Sequence, residues 1–302
     1  MSHDHTHIDP SSRDKRVALA IWANATLTLA QIAGGIFAGS LALIADALHN
    51  FSDMASLVIA YAARKIARRP ADARMTFGYG RIEIVAALIN YTSLIIIGLY
   101  LVYEGGMRII DPPDIKGWWV VWLGCVALVV DTLTALLTYS MQKDSINIRA
   151  LFLHNLSDAL ASVAVVIAGV LILLYDMRWV DPAITIGIAG YILYLGLTEI
   201  GGTIRTLMLA SPTNIDTDAV IQTLLDIEGV IDLHHVHFWQ MGEHDSSLEA
   251  HVVVEDSLWD QLENTKYRIK RVLEQEFDIN HSTLEFEHSD HIHKDARIYG
   301  HD

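Results

Sequence analysis

Long apolar runs separated by short polar breaks fill the first two thirds of the chain. Six runs stand out: Val17–Ala38, Leu41–Ala63, Ile82–Tyr103, Trp118–Ser140, Ala150–Tyr175 and Pro182–Leu207. Each is close to the ~20 residues that a helix needs to cross a bilayer. From Thr213 onward the pattern changes. Apolar residues fall into short alternating runs, and charged residues and histidines become frequent. This part predicts a helix over 216–227, strands over 230–239 and 246–254, a helix over 258–276 and a strand over 283–288. The alternation in "SLEAHVVVE" marks a half-buried strand, and Gly229 is placed to end the first helix. An αββαβ order implies a small α/β sandwich with its helices on one sheet face.

The pattern therefore divides the chain into an N-terminal tail (1–15), a six-helix membrane domain (16–210), a C-terminal α/β domain (211–288) and a second tail (289–302). Composition agrees. The 302 residues are 52% hydrophobic with a mean hydropathy of +0.32, too apolar for an ordinary soluble protein of this length. The net charge of −15 is concentrated after Thr213, where 20 acidic residues face 6 basic ones. Such a domain is unsuited to nucleic acid, whose phosphates require cationic neutralisation. It suits cations, and equally suits mere solubility. The single cysteine, Cys125, permits no disulfide within the chain and no thiolate cluster. "MSHDHTHIDPSSRDKR" lacks a cleavage pattern, so the first run is expected to be retained as a membrane helix.

Basic residues sort between alternate breaks. Twelve lie before run 1, between runs 2 and 3, between runs 4 and 5, or at the end of run 6; only Arg108, Lys116 and Arg178 lie on the other side. The positive-inside rule then places both termini in the cytoplasm. Trp118, Trp119, Trp122 and Trp179 sit at the opposite ends of the runs, as an interfacial aromatic belt would.

One short stretch occurs twice: "LHNFSD" from Leu48 and "LHNLSD" from Leu153, on runs 2 and 5. Residues four apart on a helix differ by about 40° in direction and about 6 Å in height, so His49 and Asp53 share one face, as do His154 and Asp158. An aspartate at the centre of a membrane helix costs ~2.5–3.5 kcal/mol on insertion scales, which marks it as functional. Of the 15 histidines, only His49 and His154 lie within apolar runs. If the two faces meet, two imidazoles and two carboxylates form a tetrahedral N/O set for a divalent ion such as Zn²⁺. Three alternatives stand beside this reading: an i,i+4 structural pair in each helix, a metal-free proton relay, or helix–helix hydrogen bonding. Asp46 is near the same face, as an extra ligand, an outer partner of His49 or a helix contact. Asp131 interrupts run 4 and lines a cavity or carries a proton on this reading.

On these residues the chain resembles the cation diffusion facilitator family over nearly its whole length, with an HxxxD on each of helices 2 and 5. "GSLALIADALHNFSD" is most similar to the zinc-transporting branch, of the bacterial zinc, cadmium and cobalt exporter type. The resemblance implies that His49, Asp53, His154 and Asp158 form the transport site. It further implies a homodimer that exports Zn²⁺, with Cd²⁺ and Co²⁺ as further cargo, from the cytoplasm in exchange for protons by alternating access. Nitrogen donors in the helix 2 pair favour borderline ions over Mg²⁺ and Mn²⁺. The bacterial inner membrane is the implied location, and no nucleic acid partner is expected.

The resemblance also implies a metallochaperone-like cytoplasmic domain in which His234, His251, His281 and Glu287 hold a regulatory Zn²⁺. His235 is the alternative to His234, since neighbours on a strand point to opposite faces. Some relatives carry a further site in the loop between helices 2 and 3. Here "PADARMTFGYGR" keeps Asp72 but has Met75 and Tyr79 in place of histidines, so no metal is expected there. "HDHTH" and "EHSDHIHKD" are expected to lack regular structure and to gather cations weakly. The chain lacks the HExxH of an intramembrane metalloprotease. A metal-selective channel or a membrane metal receptor is the rival class, and a channel would need a weak, multi-site path.

Overall fold

The computed structural model describes residues 25–139, 146–242, 245–291 and 297–299. The "HDHTH" tail, the start of the first apolar run, Lys143 and residues 292–296 lie outside them, as do the side chains of 137–155. Two compact units divide the chain: residues 1–59 with 89–199, and residues 60–88 with 200–302.

Among the described residues the apolar part forms six helices: α1 (Ala25–Ala38), α2 (Leu41–Ala67), α3 (Ile82–Ile110), α4 (Gly117–Tyr139), α5 (Ile146–Tyr175) and α6 (Val180–Leu207). Four of them contain stretches long and apolar enough to span a membrane: Ile82–Ile110, Gly117–Leu136, Leu156–Tyr175 and Val180–Leu207. α1 is described only from Ala25, and α2 is diluted by Asp46, His49, Asp53, Arg64 and Lys65. The outward faces are apolar and exposed, as at Ile96, Leu99, Val129 and Leu160, the surface that lipid would cover. The tryptophans at the starts of α4 and α6 are likewise exposed, with Trp118 and Trp122 edge to face at 6.0 Å.

Small residues set how closely the helices approach. A Cβ on Gly169 of α5 would lie 2.8 Å from a Val121 methyl and 3.0 Å from its backbone nitrogen, so α4 and α5 meet nearly backbone to backbone. Gly39 turns α1 into α2 with φ +74, a conformation that favours glycine. Beyond that turn, Asp181 of α6 does what a capping residue normally does from its own helix. Its fully buried carboxylate accepts the Ser40 hydroxyl, the Leu41 N–H at 2.7 Å and the Ala42 N–H at 3.3 Å. Those amides are orphans of the first α2 turn. The carboxylate also lies against the positive end of the helix dipole. Asp181 thus fixes where α2 begins.

The last third folds as α7 (Thr217–Leu225), β1 (Val230–Gln240), β2 (Ser246–Val254), a 3-10 turn (Asp256–Gln261), α8 (Leu262–Phe277) and β3 (His281–His288). Asp216 caps α7 through the Asp218 N–H. Thr265, Ile269 and Leu273, spaced by four, form the buried stripe of α8. The sheet order is β1-β2-β3; β1 and β2 are antiparallel, whereas β2 and β3 are parallel and need α8 as their crossover. Both helices contribute to a single core with Leu233, Phe238, Leu248 and Val252.

The free edge of β1 is partly covered. The carbonyls of Arg297 and Ile298 accept the N–H groups of His235 and Val236, at 3.2 and 2.8 Å, and Tyr299 bridges to Val236. Asp218 accepts a hydrogen bond from the Tyr299 hydroxyl, which pushes that phenol up to about 12. The expectation of an irregular "EHSDHIHKD" tract is corrected at its start. Glu287 and His288 belong to β3, and Ser289–His291 form a 3-10 turn, because the parallel pairing to β2 continues through Val254 and His288.

Candidate functional site

α2 and α5 bring their repeated faces together. Nε2 of His49 lies 3.7 Å from Oδ2 of Asp53 on its own helix and 3.5 Å from Oδ1 of Asp158 across the gap. His49 and Asp158 are buried, at 6% and 8% exposure, and Asp53 is partly open. The ring of Tyr191 from α6 stands edge-on to His49 at 6.2 Å. His154 lies on α5, but its side chain is outside the described residues.

The flanking polar residues form their own layer. The Gln31 amide of α1 donates to Asp46 at 2.7 Å, so the hydrogen-bond partner of Asp46 comes from α1. The Ser162 hydroxyl of α5 donates to Asp131 of α4, also at 2.7 Å. Two carboxylates, from Asp53 and Asp158, thus flank the His49 imidazole, an arrangement that attracts a cation. The Ser162 contact left no trace in the sequence, since a serine in an apolar helix is common. For Asp181 the available signal was a carboxylate directly before Pro182 at the start of an apolar run.

In the sheet, three residues converge. Nε2 of His234 is 3.3 Å from Oε2 of Glu287, and Nδ1 of His251 is 2.6 Å from Oε1 of the same carboxylate. One ligand atom from each lies within 4.8 Å of the others. Register explains it. His234 of β1 pairs with His251 of β2, and Glu287 of β3 sits opposite Val253, two residues along β2 from His251 and so on the same face. Two buried atoms, Nδ1 of His234 and Oε2 of Glu287, have no hydrogen-bond partner among the described residues. Oε2 is an unsatisfied acceptor facing an imidazole, which a cation would resolve. A nitrogen–oxygen donor set of this kind fits Zn²⁺.

His281 is exposed at the opposite end of β3, opposite Ser247, and does not join the trio within one chain. His235, expected on the opposite face from His234, lies on the same side. Strict alternation would turn it away from His234, but β1 is irregular between His234 and His237, and His235 has a left-handed φ of 54. A bulge cancels the alternation, leaving the His235 ring 4.9 Å from that of His251 and 6.4 Å from that of His234. Glu285, which the sequence did not single out, reaches the other nitrogen of His251 at 3.5 Å.

The loop between α2 and α3 is closed by its own side chains. Oδ1 of Asp72 accepts the N–H groups of Arg74 and Met75, and Tyr79 donates its hydroxyl to Oδ2 at 2.7 Å. The Tyr79 bond first, and then the two amides, hold the exposed Asp72 carboxyl below its usual range.

Residues 17–208 match the cation efflux transmembrane domain, and residues 212–289 match the cation efflux protein cytoplasmic domain. The chain belongs to the cation efflux family. A Bacillus subtilis (strain 168) protein named cadmium, cobalt and zinc/H(+)-K(+) antiporter is 35% identical over 98% of this chain and 95% of its own length. The metal cation efflux system protein CzcD of Cupriavidus metallidurans is 32% identical over 95% and 90%. The zinc transporter ZitB of Escherichia coli (strain K12) is 30% identical over 99% and 97%. Cation efflux proteins are transporters, not enzymes. The chain is therefore an integral membrane transporter with a C-terminal domain built on a small sheet.

Proposed function

We propose that this cation efflux protein exports Zn²⁺ from the cytoplasm in exchange for protons, with Cd²⁺ and Co²⁺ as further cargo. The observation that carries the reading is the meeting of His49 with Asp158 at 3.5 Å and Asp53 at 3.7 Å, between α2 and α5. His154, four residues before Asp158, completes a two-nitrogen, two-carboxylate set for the cargo ion. Only neutral imidazole ligates a metal, so loading the site from its protonated state displaces protons. Proton entry from an acidic exterior reverses the step and frees the ion there. Histidine titrates near pH ~6.5, within reach of both compartments. α1 and α2 count as membrane helices in this reading, giving six spans with both termini cytoplasmic and alternating exposure of the site. Asp46 and Asp131 shape the charge beside it.

The protein works as a homodimer in the bacterial plasma membrane. His234, His251 and Glu287 take a regulatory Zn²⁺, with His235 and His281 as further donors. The Bacillus subtilis relative named for cadmium, cobalt and zinc and the Escherichia coli relative named for zinc support the cargo assignment. The decisive experiment is ⁶⁵Zn²⁺ uptake by inverted vesicles under an imposed proton gradient. Uptake is expected to need the gradient and to fail in His49→Ala and in His154→Ala. Gradient-independent flux would make the protein a channel, and full uptake by either variant would reject the site.

A further inference from the structure

A second group of metal-ligating side chains meets at the other end of β3. Asp256 opens the 3-10 turn just after β2, His288 is the last residue of β3, and Asp290 follows it by two. One ligand atom from each lies within 4.8 Å of the other two. Nδ1 of His288 is 2.8 Å from Oδ1 of Asp256, and the Ser289 hydroxyl donates to that oxygen at 2.6 Å. The ring of His288 packs on Trp259, with centroids 4.7 Å apart. Trp259 belongs to the same turn as Asp256, so the indole holds the imidazole against the segment that supplies the first carboxylate.

The backbone accounts for the convergence. β2 and β3 run parallel, with Val254 opposite His288, so both strands end side by side. The chain leaving each strand brings a carboxylate to the same place. Glu287 turns to His234 and His251. His288 is its neighbour on the strand and therefore faces the opposite side of the sheet. The two groups share no ligand.

We propose that Asp256, His288 and Asp290 form a separate cation site for a divalent transition ion, bound through one imidazole nitrogen and two carboxylate oxygens. The imidazole sets it apart from an acidic patch: nitrogen favours Zn²⁺, Co²⁺ or Cd²⁺ over Mg²⁺ and Ca²⁺. The side chains of His288 and Asp256 are 34% and 51% exposed, against 3% for His234. The new site is therefore the weaker and faster-exchanging of the two, filling only when cytosolic metal is already raised. Three protein donors leave coordination open for water.

The test is equilibrium dialysis of Zn²⁺ with the full-length protein in detergent and Mg²⁺ in tenfold excess. It uses the wild-type chain, Asp256→Asn/His288→Gln, and His234→Ala/His251→Ala. The first double variant is expected to lose one weakly bound Zn²⁺ per chain and the second a tighter one, with the losses adding when all four changes are combined. Should Asp256→Asn/His288→Gln fail to fold, the exposed single change Asp290→Asn is expected to weaken the same class by about tenfold or more. Unchanged weak binding in a folded variant, or its complete displacement by Mg²⁺, overturns the site.

Discussion

The α2–α5 cluster and the cytoplasmic sheet cluster join the same kinds of side chain in opposite ways. In the transmembrane domain, His49 and Asp53 share a helix face because they are four residues apart, and Asp158 stands four residues after His154 on the second helix. In the sheet, His234, His251 and Glu287 come from three strands with no fixed interval, and only strand register unites them. The energetic setting differs as well. A carboxylate in an apolar helix is costly enough to announce a purpose, whereas histidines on an acidic soluble domain are unremarkable singly. Local geometry in an expensive place can be read from letters; non-local geometry in a cheap place cannot.

The comparison breaks most easily at the membrane pair. Asp158→Ala removes the carboxylate that α5 holds against His49, and zinc transport is expected to fall by about 10- to 100-fold, measured as initial uptake in vesicles. Preserved transport would mean that the two faces do not act together. In the sheet, His251→Ala removes the residue that contacts both Glu287 and Glu285. Calorimetric titration should lose the tight zinc event, while residual transport at saturating zinc persists.

The next change asks whether the helix site depends on distant support. Asp181→Ala leaves buried amides of Leu41 and Ala42 unsatisfied, at a cost of ~1–3 kcal/mol, so the detergent-solubilised protein should melt earlier. Because α2 begins at that cap and carries His49, the apparent affinity for zinc should weaken too. Asp181→Asn, which keeps one acceptor oxygen, should recover part of both.

The smallest effect lies in the loop between α2 and α3. Tyr79→Phe removes the hydrogen bond that does most to hold the Asp72 carboxyl low, so carboxyl NMR should find its titration moved back toward the ordinary value near ~4. With the tyrosine present, the contribution of Asp72 to the turn is complete above the ordinary carboxylate range. It fades as pH falls through the depressed folded value. Zinc transport at neutral pH should be unchanged.

Several elements were legible without coordinates. The αββαβ order appears as α7, β1, β2, α8 and β3 with small shifts at the ends, because alternation and helix caps are local signals. The split of residues 258–276 into a 3-10 turn and α8 was not legible, and neither was the bulge at His235, since both depend on how the chain meets its neighbours. For Asp46 the sequence left an extra ligand, an outer partner of His49 and a helix contact open; the Gln31 amide, fifteen residues back on α1, donates to it and makes the helix contact.

The sequence by itself determined that this is a membrane protein with a charged terminal domain, and that two HxxxD pairs lie within apolar helices. Hydrophobic length and helical period are properties of neighbouring residues, so they survive without a fold. The tertiary structure decided which faces meet, that Asp181 of α6 caps α2, that a bulge keeps His235 beside His251, and that Asp256 lies against His288. Those contacts join residues up to 141 positions apart, and chain topology and strand register place them, neither of which is written in local spacing.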